Sequence, residues 1–326
     1  MRKPFAKLAV GIAAASLMLT FTACADDPGT SGSAGSGSNK IGAAFPILDE
    51  FLQTVATAAE EKGKELGYEV EVVSAEEKTD KQLSQIENFI ANGYAAIIVI
   101  PQDTDAVGPI ITKAKEANIP LVFVNRNPAD RPVDTPYVGS DSKNSGLLEM
   151  TELAKLAGGK GNVAILEGDP SQEAARLRTE ACEEVVAENP GMKVVKTQAG
   201  NWYREKGLSI TENWLQSGEQ IDVICANNDE MALGAIQALK AADKLSDVLV
   251  GGVDATKDGL AAMESGELAV TVYQNGKGQG EGGVTAADAL IKGQAVPGAD
   301  DTGYVDIPYE VVTKDNFEEM KQKILG

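Results

Sequence analysis

The most constraining feature of the sequence is a regular alternation between short apolar runs, rich in Val and Ile, and longer amphipathic stretches. Runs that are apolar on both faces and separated by crossover helices are typical of parallel sheets covered on both sides. The pattern therefore predicts a doubly wound α/β fold. The expected strands are residues 41–47, 70–74, 95–100, 121–125, 162–167, 193–197, 223–226, 248–254 and 269–274, and clear helical patterns are residues 51–66, 81–92 and 230–242.

Two Rossmann-like lobes joined by a hinge are expected, because 326 residues exceed what one hydrophobic core usually organises. Each half contains a comparable series of strand and helix patterns, and an extended YVGSDS segment separates the halves. We assign residues 40–140 plus 275–304 to the N-terminal lobe and residues 141–274 plus 305–326 to the C-terminal lobe. Ligands of open α/β sheets bind beyond the carboxyl ends of the strands, so two such lobes enclose a cleft.

The first residues have the composition of an export signal. Residues 1–23 contain a basic start and an apolar run too short to span a bilayer, and small residues then precede Cys24. Small residues before a cysteine resemble the lipobox of bacterial lipoproteins, so we expect lipidation of Cys24; the alternative is a conventional signal peptide with a chance cysteine. Residues 24–39, rich in Gly and Ser, predict a flexible tether. The expected location is extracytoplasmic, anchored to the cell membrane.

The charge and the missing histidine exclude several function classes. The chain has 29 basic and 49 acidic residues and a net charge of -20, which argues against nucleic acid as a partner because phosphate binding depends on Lys and Arg. With no histidine, a Ser-His-Asp or Cys-His mechanism is excluded, and so is a metal site with an imidazole ligand. We therefore do not expect an enzyme.

Two cysteines remain after the leader, Cys182 in a helical pattern and Cys225 in an apolar strand pattern. We expect both to be buried free thiols, which behave as small apolar side chains, with a disulfide between them as the alternative.

Two motifs suggest bound groups but lack the required context. Residues 278–283 (GQGEGG) match the dinucleotide fingerprint, which belongs in the first β-α turn and not late in a chain. Asp103 and Asp105 have the spacing of the first two ligands of a calcium-binding loop, but Val107 and Ala114 stand where further ligands are needed. We expect no cofactor and no metal.

Several polar residues stand at or just past the ends of predicted strands and are candidates to line the cleft. They are Asn125, Arg126, Asn228, Asp229, Asp254 and Gln274. Arg176 or Arg178, at the start of a helical pattern, can clamp hydroxyl groups of a ligand, or both can lie on a solvated helix face. Phe51 and Trp202, near strand ends, can stack on a ligand or belong to the core.

Five stretches identify a resemblance to the type I periplasmic sugar-binding proteins, the group of ribose-, galactose/glucose-, inositol- and rhizopine-binding proteins. The resemblance extends from Lys40 to the C-terminus. The stretches are residues 117–122 (ANIPLV), 125–126 (NR), 137–141 (YVGSD), 226–235 (ANNDEMALGA) and 252–254 (GVD).

The resemblance implies a role for each candidate in the cleft. Phe51 and Trp202 would sandwich the sugar ring, with Glu50 beside Phe51 and Asp49 as the alternative acid. The remaining residues would bond to hydroxyl groups; they are Asn125, Arg126, Arg178, Asn228, Asp254 and Gln274.

Differences within the family indicate the class of ligand. Galactose/glucose binders carry an acid where this chain has Ala174 and an asparagine where it has Gln274, and their calcium loop is replaced here by residues 158–161 (GGKG). Ribose binders share Arg126 and Gln274 but have Phe where Trp202 stands. An inositol-like ring is therefore expected first, with hexoses and pentoses as alternatives.

The resemblance implies a monomeric solute-binding protein that delivers a monosaccharide or cyclitol to the permease of an ABC transporter. The alternative is a sensor that presents its ligand to a chemoreceptor or histidine kinase. A repressor of the same fold is excluded, because it would need a DNA-binding domain where this chain has an export signal.

Overall fold

The first four Val- and Ile-rich runs and two short strands form a six-stranded parallel sheet in the computed structural model, which describes residues 38–326. In spatial order its strands are β11 (Tyr304–Asp306), β5 (Tyr137–Gly139), β4 (Leu121–Val124), β3 (Ala96–Val99), β1 (Lys40–Phe45) and β2 (Glu69–Ser74). The associated helices are α1 (Glu50–Leu66), α2 (Thr79–Ala91), α3 (Gly108–Glu116) and α9 (Gly276–Ile291). β1 and β3 are buried along almost their whole length, as strands covered on both faces must be.

The second series of runs forms a four-stranded parallel sheet. In spatial order its strands are β7 (Gly191–Ala199), β6 (Lys160–Glu167), β8 (Val223–Ala226) and β9 (Leu249–Gly251). The associated helices are α4 (Ser142–Leu156), α5 (Glu173–Glu188), α6 (Arg204–Gln216), α7 (Asp229–Ala241), α8 (Lys257–Glu264) and α10 (Phe317–Leu325), and a short antiparallel pair joins β10 (Thr271–Tyr273) to β12 (Glu310–Val312). The predicted doubly wound α/β class is confirmed.

The chain passes between the two sheets at three places, after β5, after β10 and after β11. β11 pairs with β5 in the six-stranded sheet, and its last residue is Asp306. The third passage therefore begins two residues beyond the division that we expected after residue 304. Among residues 38–326, none of the helices combines the length and apolar character needed to cross a membrane.

Five of the expected strands end earlier than their sequence patterns indicate, at residues 45, 99, 124, 251 and 273. The run at 248–254 is shortened most: it is a strand only at Leu249–Gly251, and beyond it Asp254 and Ala255 adopt φ values of 121° and 50°, outside the extended region. β5 and β11 were not expected as strands, since three residues are too few for a recognisable period.

The glycines of the GQGEGG segment allow α9 to lie close to its neighbours. A Cβ at Gly280 would lie 2.3 Å from the carbonyl oxygen of Val55 in α1, and a Cβ at Gly283 would lie 2.8 Å from a methyl carbon of Val124 in β4. Both distances are far below van der Waals contact. Close packing of α9 thus accounts for these glycines.

Cys182 and Cys225 form a disulfide, which corrects the expectation of two free thiols. α5 packs on the four-stranded sheet and brings Cys182 over β8, so the two Cα atoms are 6.8 Å apart. Both residues are fully buried. The expectation rested on burial alone, which does not distinguish a thiol from a disulfide.

Reduction of this disulfide should lower the free energy of unfolding by about 2–4 kcal/mol, because the bond restricts the unfolded chain across 43 residues. Thermal unfolding with and without a reductant measures the effect, and the Cys182→Ala/Cys225→Ala double variant serves as the control that no longer responds. Recovery of both cysteines as free thiols from unreduced, unfolded protein would contradict the prediction.

Candidate functional site

A cavity that is open to solvent lies where the carboxyl ends of strands from both sheets face each other. The lining residues are Asp49, Phe51, Leu52, Asn125, Arg126, Ala174, Arg178, Trp202, Asn228, Asp254 and Gln274.

Among the residues to which the resemblance gives a role in the cleft, Glu50 alone does not line this cavity, and its part in binding stays a prediction. Asp49, the alternative acid, lines the wall and caps α1: its Oδ1 accepts a hydrogen bond from the Leu52 amide at 2.7 Å. Glu50 is the first residue of the helix and is exposed, and its carboxylate lies within 4.8 Å of the carboxylates of Glu230 and Asp258. The other residues with an implied role in the cleft share the cavity, and their part in binding is a proposal made below.

Trp202 is held in a fixed orientation on the cavity wall. Its Nε1 donates to Gln172 Oε1 at 2.8 Å, and its backbone has a φ of 72°, which is rare for a residue with a large side chain. A Cβ at Gly168 would lie 2.2 Å from the indole ring, so only glycine leaves room for it. Phe51, the other aromatic, packs against Gly276 at the start of α9.

Arg178 forms the base of a buried polar network. Its Nη1 donates to the carbonyl oxygen of Asn227 at 2.6 Å, and its Nη2 donates to Gln274 Oε1 at 2.9 Å and to the Tyr309 hydroxyl at 2.8 Å. The guanidinium lies 5.7 Å from the centre of the Trp202 ring. Only 4% of the residue is exposed, so its orientation is determined by these neighbours.

Tyr309 is a supporting residue that the sequence did not indicate. It follows the short strand β11 and is 131 residues from Arg178 along the chain. No motif surrounds it, and only the return of the chain to the four-stranded sheet brings its hydroxyl to the guanidinium.

Asp254 presents a carboxylate that accepts no hydrogen bond from residues 38–326, although only 8% of the residue is exposed. Its Oδ1 lies 4.0 Å from Arg178 Nη1. Burial raises the pKa of Asp254 well above its usual range, while Arg178 acts in the opposite direction. Its oxygens are therefore available to groups that donate hydrogen bonds inside the cavity.

Arg126 and Asn125 provide the polar wall on the side of the six-stranded sheet. Arg126 Nη1 donates to the carbonyl oxygen of Pro101 at 2.9 Å, and burial lowers the pKa of Arg126 to about 10 although Asp49 opposes this effect. Asn125 has a φ of 66°, and its Nδ2 donates to Gln279 Oε1 at 3.0 Å. The wall thus offers a guanidinium with donors beyond those used by the backbone.

The side chain of Asn228 forms hydrogen bonds to two backbone groups of the protein. Its Oδ1 accepts from the Met231 amide at 3.0 Å as the N-cap of α7, and its Nδ2 donates to the carbonyl oxygen of Trp202 at 3.2 Å. The residue therefore ties Trp202 to α7 while it also lines the cavity.

Two groups of side chains in the described part of the chain have the spacing of metal ligands, and both are otherwise occupied. The group of Glu149, Cys182 and Cys225 contains the disulfide. In the group of Glu50, Glu230 and Asp258, Arg204 bonds to Glu230 and to Asp258 at 2.6 and 2.8 Å. We still predict that the protein binds its ligand without a metal.

Comparison with known proteins identifies the family. Residues 44–295 match the model of the periplasmic binding protein domain. A Rhizobium meliloti protein named as rhizopine-binding is 43% identical over 291 residues, covering 87% of this chain and 93% of that protein. A xylitol-binding protein of Mycolicibacterium smegmatis is 35% identical over 314 residues, covering 96% of this chain and 87% of that protein.

A solved structure agrees in fold over nearly the same length. It is an ABC transporter solute-binding protein from Bacillus halodurans C-125 with bound myo-inositol, 41% identical, with a TM-score of 0.83 and a coverage of 89% of this chain and 99% of that one. The family match spans more than half of the chain. The chain therefore belongs to the type I periplasmic sugar-binding proteins, a family of extracytoplasmic solute-binding proteins of ABC transporters and not of enzymes.

Proposed function

We propose that the protein captures a cyclic polyol or monosaccharide, first of all an inositol-like ring, and delivers it to the permease of an ABC transporter. The observation that carries this proposal is that two aromatic side chains, Phe51 and Trp202, line one cavity together with Asp254, whose carboxylate accepts no hydrogen bond from the described residues. A polyol ring has C-H groups on its faces and hydroxyl groups around its edge. Aromatic faces suit the former, and carboxylates and guanidiniums suit the latter.

The charged groups of the cavity match a neutral ligand with many hydroxyl groups. Asp49 and Asp254 are acceptors, whereas Arg126 and Arg178 are donors. A hydroxyl group both donates and accepts, so it can bond to either kind of residue. The equal number of acids and guanidiniums leaves no excess charge that would select an ionic ligand.

The choice of an inositol-like ring is supported by similarity. The solved relative that is 41% identical contains myo-inositol, and the relative that is 35% identical is named for the polyol xylitol. Both ligands expose a hydroxyl group on every carbon. We infer that this chain recognises the same arrangement of hydroxyl groups.

We further propose that the two halves close around the ligand. Contacts between the halves lie beside the cavity: Arg176 pairs with Asp105 at 3.6 Å, and Gln172 Nε2 donates to the carbonyl oxygen of Gln102 at 3.4 Å. A cleft of two lobes that closes by a hinge would break and remake such contacts. The lobes are those expected above, with the last passage moved to after Asp306.

Lipidation of Cys24, the tether of residues 24–39 and a monomeric state complete the proposal. Residues 1–37, which include the leader, Cys24 and most of the tether, lie outside the described residues. A lipid on Cys24 would keep the folded part close to the permease while the tether lets it move.

A thermal-shift panel of myo-inositol, xylitol, ribose, allose, galactose and glucose tests the proposed ligand class. A ligand at 100 times its dissociation constant adds about 2.7 kcal/mol to the stability of the folded protein. We expect the largest shift with myo-inositol and an unchanged shift after treatment with a chelator. No shift with any member of the panel would contradict the proposed function.

Affinity for the polyol should rise with pH. Because burial raises the pKa of Asp254, the free protein carries a proton there at lower pH, and hydroxyl groups that donate to the ionised carboxylate favour its release. Binding therefore strengthens until the pH exceeds the pKa of the free protein. Calorimetric titrations between about pH 5 and pH 9 measure how steeply the affinity rises with pH. The Asp254→Asn substitution should make this rise smaller. An affinity that falls over this range would contradict the prediction.

A further inference from the structure

Asp229 is a buried carboxylate that does not line the cavity. It follows Asn228 as the first residue of α7 and has no exposed surface. Its Oδ1 accepts from the Thr271 hydroxyl at 2.7 Å, and its Oδ2 accepts from the amide of Thr256 at 2.8 Å and from the Thr256 hydroxyl at 3.3 Å. Thr256 is the last residue of the loop that carries Asp254, and Thr271 is the first residue of β10, which lies beside that loop.

The hydrogen bonds around Asp229 run in one direction, toward its carboxylate. The Thr271 hydroxyl donates to Asp229 and accepts from the Ala255 amide at 3.2 Å. The Thr256 hydroxyl likewise accepts from the Gly259 amide at 3.0 Å. Since each hydroxyl has one proton to donate, an acceptor at position 229 fixes the direction of the whole network.

The loop held by this network has an unfavourable backbone conformation. Asp254 and Ala255 have φ values of 121° and 50°, which residues other than glycine adopt only where the surroundings require it. The loop also lies tightly against the carboxylate: a Cβ at Gly252 would lie 2.5 Å from Asp229 Oδ1, and a Cβ at Gly259 would lie 2.1 Å from Oδ2. The Asp229 amide donates to the carbonyl oxygen of Val253 at 2.8 Å.

We propose that Asp229 is a positioning residue that holds the loop of Val253–Thr256 so that the Asp254 carboxylate meets the ligand. Asp229 acts through Asp254 and touches no ligand itself. The inference rests on the proposed function for its effect on binding, but its effect on the loop exists without any ligand.

Asp229→Asn replaces one acceptor oxygen by an amide group that donates. The amide cannot accept from both threonines, so one side of the loop is released. We expect the affinity for myo-inositol, or for the panel member with the largest shift, to fall about tenfold or more. Asp243→Asn, the same substitution at an exposed position near the end of α7, should leave affinity unchanged. Burial raises the pKa of Asp229 to about 7, so titrations at about pH 8 keep it ionised.

A double-mutant cycle with Asp254→Asn separates positioning from a general structural role. If Asp229 acts through Asp254, its substitution costs little further affinity once the Asp254 carboxylate is gone. An equal loss in both backgrounds would overturn the proposal. If Asp229→Asn does not fold, Thr271→Val takes its place, with Thr271→Ser as the control that retains the hydroxyl and should restore binding.

Amide hydrogen exchange in the ligand-free protein distinguishes failure of this inference from failure of the proposed function. We expect the amides of Ala255 and Thr256 to exchange at least about tenfold faster in Asp229→Asn, while the amides of β8 keep their protection. Unchanged exchange at both amides would overturn the inference whatever the protein binds. If no panel member binds the wild type, the proposed function fails and the exchange rates still decide this inference.

Discussion

Replacement of Asp254 by Asn should weaken polyol binding by about tenfold to a hundredfold, because hydrogen bonds to an ionised group contribute about 1.5–3 kcal/mol. The carboxylate accepts no hydrogen bond from the described residues, so it has capacity for two hydroxyl groups of a ligand. The amide that replaces it has one accepting oxygen. Calorimetric titration at about pH 8 measures the loss.

The same substitution should leave the fold intact. Burial raises the pKa of Asp254, which means that the folded protein holds the ionised carboxylate at a cost. A carboxyl group whose pKa is raised by folding stabilises the folded state most at low pH. This contribution to the free energy of unfolding is lost as the pH rises through the pKa of the folded protein. Asp254→Asn should therefore be at least as stable as the wild type at pH 8, with Asp243→Asn as the control. Wild-type affinity in the variant would show that Asp254 does not contact the ligand.

Truncation of Trp202 to Ala should weaken binding about thirtyfold or more, since removal of a buried aromatic at a binding site costs about 2 kcal/mol or more. The ring forms one wall of the cavity and lies near the Arg178 guanidinium. Thermal stability should fall less than affinity, because the ring is only partly buried in the absence of a ligand. Calorimetry and thermal unfolding of the same sample compare the two effects.

Trp214 provides the matched control for Trp202. It lies on α6, is 4% exposed and belongs to the core, so Trp214→Phe should change stability and leave affinity unchanged. Ligand should alter the fluorescence of the wild type and of Trp214→Phe, but not that of Trp202→Ala. A Trp202→Ala variant that binds normally and unfolds at a much lower temperature would show that the residue belongs to the core.

The residues that follow strands were the most predictable part of the site. Asn125, Arg126 and Asn228 come directly after buried strands, and parallel strands bring their carboxyl ends to one edge. Asp254 was predictable for the same reason, although its strand ends at Gly251 and not at Asp254. Local pattern and the topology of α/β sheets therefore account for most of the cavity wall.

Contacts between distant parts of the chain could not be predicted from the sequence. Tyr309 reaches Arg178 across 131 residues, and the disulfide joins cysteines 43 residues apart. The position of Glu50 away from the cavity wall has a local cause: successive residues at a helix start point in different directions, so Asp49 lines the cavity and the next residue does not.

A crystal structure of the protein grown with myo-inositol tests the central claim most directly. We expect the myo-inositol ring to lie between Phe51 and Trp202. Its hydroxyl groups should form hydrogen bonds of about 2.7–3.0 Å to Asp254 and to the guanidiniums of Arg126 and Arg178. A ligand bound elsewhere on the protein, or a cavity without the ring at a concentration that saturates binding in solution, would contradict it.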